Sequence, residues 1–478
     1  MKNFYRTLTA ALLLAWLISP LGAQEVNQEA VQELTTDVCV IGAGSAGCAA
    51  AITAAREGAQ VVLIEKDKIL GGTGSNAYVS NWEGGPGCNI AEELFERMHA
   101  AGGAGVGKET DIGARGAFGI KMVTDSEPYE ISLVRALPPE GGYRSIVFLP
   151  EAFDKAARDM MAETGRVTLL DETTYIQPEK SDDGTRVLAV LAKAADGRMI
   201  RVQAKVFIDS TGSVILCRDL GCESRLGPEP QSEYNESLAP KEPKLTLNAI
   251  TRCYRIDPKE NPKREVLDEN QKTGFPKCAY VTGWLDGPRM VNMMPTLPGK
   301  DLVELGYDEC MKRSEVIVHN HWNWLQTQPG FENYELTALA PELGIRESYR
   351  IVTQYVLNQA DLEATWPNQE HNDMIAVADH PCDIHGEGGG LVHVKFAYGI
   401  PYRCLIPKSE LTNLLVACRG AGLSRVAAAS CRLQRTMIQF GNAAGVAAAW
   451  AARDNVPVDK IDVDALVKKM DARKRYPK

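Results

Sequence analysis

The stretch Asp37-Val38-Cys39-Val40-Ile41-Gly42-Ala43-Gly44-Ser45-Ala46-Gly47 decides how this chain folds. Its apolar first half suits a strand buried on both faces of a parallel sheet. Its second half spells Gly-x-Gly-x-x-Gly. From Cys48 to Glu57 the chain is rich in Ala and free of breakers, which predicts a helix starting at the last glycine, and Gly58 ends it. Gln60-Val-Val-Leu-Ile64 then reads as a second buried strand closing on Glu65. Gly42 permits the tight turn, Gly44 lets the backbone approach a pyrophosphate, and Gly47 lets helix and strand pack closely. The helix start, with Ser45 and Ala46, offers free N–H groups and the positive end of a dipole to phosphates. Glu65, followed by Lys66, stands about 20 residues after the glycines, where an acid accepts hydrogen bonds from ribose hydroxyls and repels a 2′-phosphate.

The glycine fingerprint alone does not separate NAD from FAD. Gly71-Gly72-Thr73-Gly74-Ser75-Asn76-Ala77 follows soon after Glu65, a flexible run with hydroxyl and amide donors. It suits a second backbone approach to a phosphate or an isoalloxazine, where an NAD dehydrogenase goes directly into another βα unit. Arg166 to Leu170, Val187 to Lys193 and Ile200 to Ala204 alternate as strands around the turns Asp182-Asp183-Gly184 and Asp196-Gly197. They predict a β-meander running into Val206-Phe-Ile-Asp209-Ser-Thr211-Gly212. Leu414 to Cys418 reads as another buried strand, followed by Arg419-Gly-Ala-Gly422. Leu433 to Ala451 reads as a helix whose Gly441, Ala443, Ala444 and Gly445 permit close packing against a strand or a flat cofactor. Its N-terminus would stabilise negative charge on a reduced flavin; a tight helix–sheet contact is the other reading.

With these residues in order, the chain resembles the FAD-dependent oxidoreductases of the glutathione-reductase-like superfamily, distantly similar to fumarate reductase and succinate dehydrogenase flavoproteins. The resemblance covers residues 35–452. Its more specific parts are Leu343-Gly-Ile-Arg346-Glu-Ser-Tyr-Arg350-Ile, Ile400-Pro-Tyr402-Arg403-Cys-Leu-Ile-Pro407 and Gly441-Asn-Ala-Ala444-Gly445. It implies an α/β fold: a Rossmann-like FAD-binding domain with a β-meander, plus an inserted mixed α+β substrate domain. The cofactor residues it implies are Gly42, Gly44, Ser45, Ala46, Gly47, Glu65, Lys66, Gly72, Thr73, Asp209, Thr211, Gly212, Arg419, Gly441 and Ala444. The chain departs from the family pattern at Cys418, where Gly is expected, and at Gly-Ala-Gly after Arg419. A covalent flavin link needs a His near the second glycine run, and none occurs between Gly71 and Asn89, so non-covalent FAD is expected.

Composition is that of a globular protein, 45% hydrophobic and 24% charged over 478 residues. Lys2 and Arg6, the apolar run Leu8 to Ile18, Pro20 and then Leu21-Gly22-Ala23 have the layout of a signal peptide, with an uncleaved anchor helix as the alternative. Removing residues 1–23 takes Lys2 and Arg6 away and leaves 50 basic against 62 acidic residues, a net charge of −12. An acidic mature chain without basic blocks argues against nucleic acid or an anionic membrane as partner. The expected location is secreted or periplasmic, with no stable membrane insertion after cleavage. The 12 cysteines show no disulfide framework and no metal-site spacing.

The expected domains are 35–230 with 395–452 for FAD, 231–394 for substrate, and a charged tail at 453–478. Flavin carries the hydride, so the protein orients the substrate and moves one proton. His385, in Asp383-Ile-His385-Gly-Glu-Gly-Gly-Gly390, is the first candidate. Arg346 would clamp a substrate carboxylate or stabilise anionic flavin. Arg350 shares its face if that stretch is a helix, and Tyr402 and Arg403 complete the catalytic candidates. Each has a structural reading beside the catalytic one. His319 and His321 hint at metal, but no third ligand is near and an aromatic core helix is the better reading. The expected function is an exported FAD-dependent oxidoreductase acting on a small organic molecule, with a quinone, cytochrome or oxygen as second acceptor. The alternatives are an NAD-dependent dehydrogenase and a non-catalytic flavin- or nucleotide-binding module.

Overall fold

The computed structural model describes residues 31–83, 85–112, 119–123, 129, 132, 144–293, 295–384, 391–392, 394 and 397–472. The fold is α/β and Rossmann-like. Its first sheet runs in the order Val167–Leu170, Val61–Ile64, Gln32–Ile41, Met199–Asp209, Val187–Ala194, Thr173–Lys180, and Leu414–Val416 pairs with Met199–Asp209. The strands from Val167–Leu170 through Met199–Asp209 are parallel, as is the added Leu414–Val416. Register lines up their carboxyl ends: Ile41 is opposite Ile64 and Asp209, and Asp209 is opposite Val416. Gly42, Glu65, Ser210 and Ala417 therefore all leave the sheet along one edge, the edge at which open α/β sheets bind ligands.

Two helices explain the alanine-rich stretches. Every residue from Ser45 to Ala55 in the helix Ser45–Arg56 is buried, as expected of a helix enclosed on all sides. The long helix Gln434–Asp454 crosses it so closely that a Cβ on Gly441 would stand 1.9 Å from the Ala46 carbonyl oxygen. The small residues of both helices permit that approach.

The meander departs from expectation. Val167–Leu170 lies in the parallel sheet beside Val61–Ile64, and the meander is instead Thr173–Lys180, Val187–Ala194 and Met199–Asp209. Thr173–Lys180 has mixed burial and carries a Pro, which hid it as a strand. Ile200–Ala204 and Val206–Asp209 are one continuous strand.

A second sheet has eight strands, in the order Tyr334–Leu339, Tyr254–Pro258, Arg289–Asn292, Tyr280–Trp284, Gly119–Val123, Ala104–Glu109, Ser145–Phe148, Asn81–Trp82. Half of them come from residues 81–148, ahead of the expected insert, because Gly119–Val123 pairs with Tyr280–Trp284 across the chain. The helix Tyr307–Leu325 packs on this sheet through Val318, His321, Trp322 and Leu325, a stripe at helical spacing. The tail forms a short helix at Val463–Met470. All 12 cysteines are free. Among the described residues, no helix is long and apolar enough to cross a membrane. The expected signal segment lies outside the described residues.

Candidate active site

A cavity of about 1190 Å³ starts at the carboxyl edge of the first sheet and continues beneath the second. It exceeds the roughly 300–1,000 Å³ of ordinary small-molecule sites, as a dinucleotide plus a substrate requires. Gly42, Gly44, Ser45, Ala46, Glu65, Lys66, Gly72, Thr73, Thr211, Gly212, Arg346 and Arg419 all line it.

The cradle is built by close backbone approaches. Gly42 has φ +93°, and a Cβ on Gly47 would lie 1.8 Å from the Gly42 oxygen, so neither position admits a side chain without movement. A Cβ on Gly44 would meet nothing within 4 Å, because that side faces the open cavity. Gly44 and Gly71 form an isolated parallel bridge, which lays the second glycine run alongside the first. The Glu65 carboxylate accepts the Ala43 N–H at 2.5 Å and the Asp67 N–H at 3.0 Å. Burial pushes its carboxyl upward against the pull of those two N–H groups. Lys66 is held by Asp67 and Glu342. This arrangement fits FAD: a helix start for the pyrophosphate, an acid for the ribose, and a second glycine run beside them.

Several expected residues act at one remove. Asp209 is buried, and its carboxylate accepts Thr211 N–H and Oγ1–H at 2.9 and 2.7 Å and Cys217 N–H at 2.9 Å. It shapes the turn that presents Thr211 and does not line the cavity. Gly47, Gly441 and Ala444 serve packing between backbone segments. Gly212 makes room for Arg419, whose guanidinium would stand 2.6 Å from a Cβ there.

Three catalytic expectations are corrected. Residues 344–349 are not a helix, so Arg346 and Arg350 do not share a face. Arg350 turns into the core, where it pairs with Glu229 at 2.7 Å and Glu347 at 3.2 Å. Tyr402 is buried and donates to the Val458 carbonyl at 2.8 Å. Arg403 pairs with Asp373 at 3.0 Å, away from the cavity. His385 lies outside the described residues. His319 and His321 point to different partners, Glu265 and Tyr254. Among the described residues no group of three or more His, Cys, Asp and Glu is placed to hold a metal.

The missed residue of most weight is Arg432, which lines the cavity just before the helix Gln434–Asp454. Arg346 donates to the Ala249 carbonyl and Thr251 Oγ1 at 2.8 and 2.7 Å, and Arg432 reaches Asp383 only at 3.5 Å. Among the described residues, neither Arg346 nor Arg419 meets a carboxylate. The buried Nε groups of Arg419 and Arg432 meet no hydrogen-bond partner among the described residues. Burial, and then the charge of Arg432, brings Arg346 down to about 10. Burial likewise lowers Arg419 and Arg432. Three cations held in one wall with so little counter-charge have the chemistry to receive an anion. The place of Arg432 two residues ahead of an Ala- and Gly-rich helix was the available signal.

Also on the wall are Glu83, Lys121, Tyr280 and His380, contributed by four separate segments.

Residues 37–470 match the FAD dependent oxidoreductase family. A urocanate reductase of Eggerthella lenta is 37% identical over 279 residues, 54% of this chain and 43% of that protein. An NADH:fumarate oxidoreductase of Klebsiella pneumoniae is 37% identical over 89 residues, 17% of this chain and 10% of that protein. The chain thus matches less than half the length of either curated relative. A geranylgeranyl bacteriochlorophyll reductase-like structure from Thermoplasma acidophilum aligns over 93% of this chain and 85% of that one, at 13% identity and a TM-score of 0.46.

Proposed function

The chain belongs to the FAD dependent oxidoreductase family, and from that premise we propose an exported enzyme that transfers a hydride between FAD and a small carboxylate-bearing substrate. Family membership makes it an FAD-dependent enzyme, which sets aside the NAD-dependent and non-catalytic readings. FAD, when bound, accepts or gives the hydride. Non-covalent attachment follows from the absence of His between Gly71 and Asn89.

The observation that carries the substrate class is the wall formed by Arg346, Arg419 and Arg432. Guanidinium groups bind carboxylates through paired, charge-assisted hydrogen bonds and keep their charge at neutral pH. Urocanate and fumarate, named in the two relatives, are both carboxylates, which supports the same class. These residues hold and orient the substrate; they need not titrate.

Export rests on the pattern from Lys2 to Ala23. An exported enzyme has little access to soluble NADH, so a quinone, a cytochrome or oxygen is the second electron partner.

An absorbance spectrum of the purified protein, before and after heat denaturation, tests the cofactor. Flavin bands near ~450 nm, with colour released on heating, are expected. A colourless protein that FAD does not reconstitute would overturn the reading. Fumarate and urocanate, assayed with reduced methyl viologen as donor, test the substrate class. If neither perturbs the flavin spectrum nor is reduced, the carboxylate assignment fails while the cofactor stands. Finding the mature protein in the cytoplasm alone would remove export.

A further inference from the structure

His380 follows the strand Met374–Ala378, and Glu83 follows Asn81–Trp82; the fold brings them together on the cavity wall. The Nδ1 of His380 is 2.7 Å from the Pro381 carbonyl oxygen. A carbonyl only accepts, so Nδ1 carries its hydrogen in both the neutral and the charged ring. Nε2 is then the nitrogen at which a proton arrives and leaves. It lies 3.7 Å from Glu83 Oε2.

The second sheet fixes Glu83. Its Oε1 accepts Lys121 Nζ at 2.9 Å and Tyr280 O–H at 2.6 Å. The side chains of Lys121 and His380 are each 8% exposed, and that of Glu83 is 17% exposed. Asp379, the neighbouring acid, accepts the Gly85 N–H at 2.6 Å and so anchors the adjoining loop. A buried charge cluster of this kind is a poor way to stabilise a fold, since desolvation offsets the attraction. Its position on a cavity wall is where proton transfer is needed.

We propose that His380 Nε2 exchanges the proton that accompanies hydride transfer, and that Glu83 is its positioning residue. This rests on the hydride-transfer reading above. In the reducing direction the Nε2–H bond breaks and its proton bonds to the substrate atom next to the carbon that would take the hydride from reduced flavin. The substrate double bond becomes single, and the neutral ring regains a proton from solvent. In the oxidising direction the substrate X–H bond breaks, its proton goes to Nε2, and the adjacent C–H leaves as hydride to FAD. A carboxylate at Glu83 favours the charged ring in either case, and Lys121 and Tyr280 hold that side chain in place.

The test uses FAD-loaded protein with 15N-labelled histidine rings. NMR titration should show the neutral His380 ring protonated at Nδ1. Glu83→Gln should reduce its proton affinity about tenfold. If that variant leaves Lys121 unpaired and unstable, the double variant Glu83→Gln, Lys121→Met removes both charges. With fumarate and urocanate as probe acceptors, the pH limb of kcat should move with the NMR titration in the Glu83 variant. His380→Gln should retain the flavin spectrum and KM but lose about 10²–10⁴ in kcat. A neutral ring protonated at Nε2, a His380 titration unmoved by Glu83→Gln, or wild-type kcat in His380→Gln overturns the proposal. If wild-type protein reduces neither probe, the carboxylate reading is what fails, and the titration alone decides the pairing.

Discussion

The guanidinium of Arg350 meets the carboxylate of Glu229 at 2.7 Å in the core, with the two side chains only 3% and 2% exposed. Glu347 adds a contact at 3.2 Å, and the Gly227 and Leu423 carbonyls accept two more of its hydrogens. Four of the five guanidinium N–H groups are spent on the protein, and the side chain is buried. Arg350 therefore ties the loop at 227–229 to the segment before Arg425, and no face remains for a substrate.

Removing that cation leaves Glu229 short of its partner in a dry environment. Arg350→Met should lower the free energy of unfolding by about 3–5 kcal/mol, read from urea denaturation of apoprotein. Arg346→Met, on the cavity wall, should cost less and instead weaken carboxylate binding. Equal destabilisation by the two would contradict the division between them.

The Arg432 wall makes a separate prediction. A hydrogen bond to a charged group is worth roughly 1.5–3 kcal/mol, so Arg432→Gln should weaken fumarate or urocanate binding about 10- to 100-fold. Titration of the flavin absorbance with either anion measures it. FAD affinity itself should change little, because the pyrophosphate cradle is at Gly42–Gly47. Loss of FAD with unchanged anion binding would place Arg432 on the cofactor instead.

The legible part of this protein is the part whose signal is local. Gly42, Gly44, Gly47 and Glu65 fall within one βαβ unit, so their spacing is fixed by the strand and helix between them. Close packing of the C-terminal helix was readable from Gly441 and Gly445, though not its partner. Arg350 was misread because a four-residue separation means a shared face only in a helix, and 344–349 is irregular. Glu83, Lys121, Tyr280 and His380 span some three hundred positions: the pairing of Gly119–Val123 with Tyr280–Trp284 brings Lys121 and Tyr280 together, while Glu83 arrives from the end of Asn81–Trp82 and His380 from the loop after Met374–Ala378. No periodicity encodes such a meeting. Thr173–Lys180 was hidden by its mixed burial.

Two glycines should respond alike for different reasons. A methyl on Gly47 would lie 1.8 Å from the Gly42 oxygen, and one on Gly441 would lie 1.9 Å from the Ala46 oxygen. Neither obstacle is a flexible side chain, so backbone must move, at a cost of about 1–3 kcal/mol. Both shifts distort the turn that holds the pyrophosphate. Gly47→Ala and Gly441→Ala should each weaken FAD binding at least ~10-fold, measured by flavin fluorescence during reconstitution. Unchanged affinity in Gly441→Ala would show that the helix contact does not set the cradle.

The last prediction concerns acid stability and rests on His321. Its Nε2 is 3.0 Å from the Cys278 carbonyl and its Nδ1 is 2.7 Å from the Tyr254 hydroxyl. The carbonyl requires a hydrogen on Nε2, so in the neutral ring Nδ1 accepts from Tyr254. Burial drives the ring down to about 4, only partly opposed by the Cys278 hydrogen bond. The unfolded chain, with an ordinary value of about 6.5, therefore binds more protons than the folded one between those limits. Stability rises with pH wherever that holds, so the contribution is complete above about 6.5 and is lost as pH falls toward 4. The loss from this group is about 3 kcal/mol at its full extent. Urea midpoints measured from pH 7 to 4 should fall over that window in wild-type protein. In the double variant Tyr254→Phe, His321→Leu, which removes the titrating ring and its hydroxyl partner together, that segment of the slope should be missing. A slope unchanged in the double variant would assign the acid sensitivity to other groups.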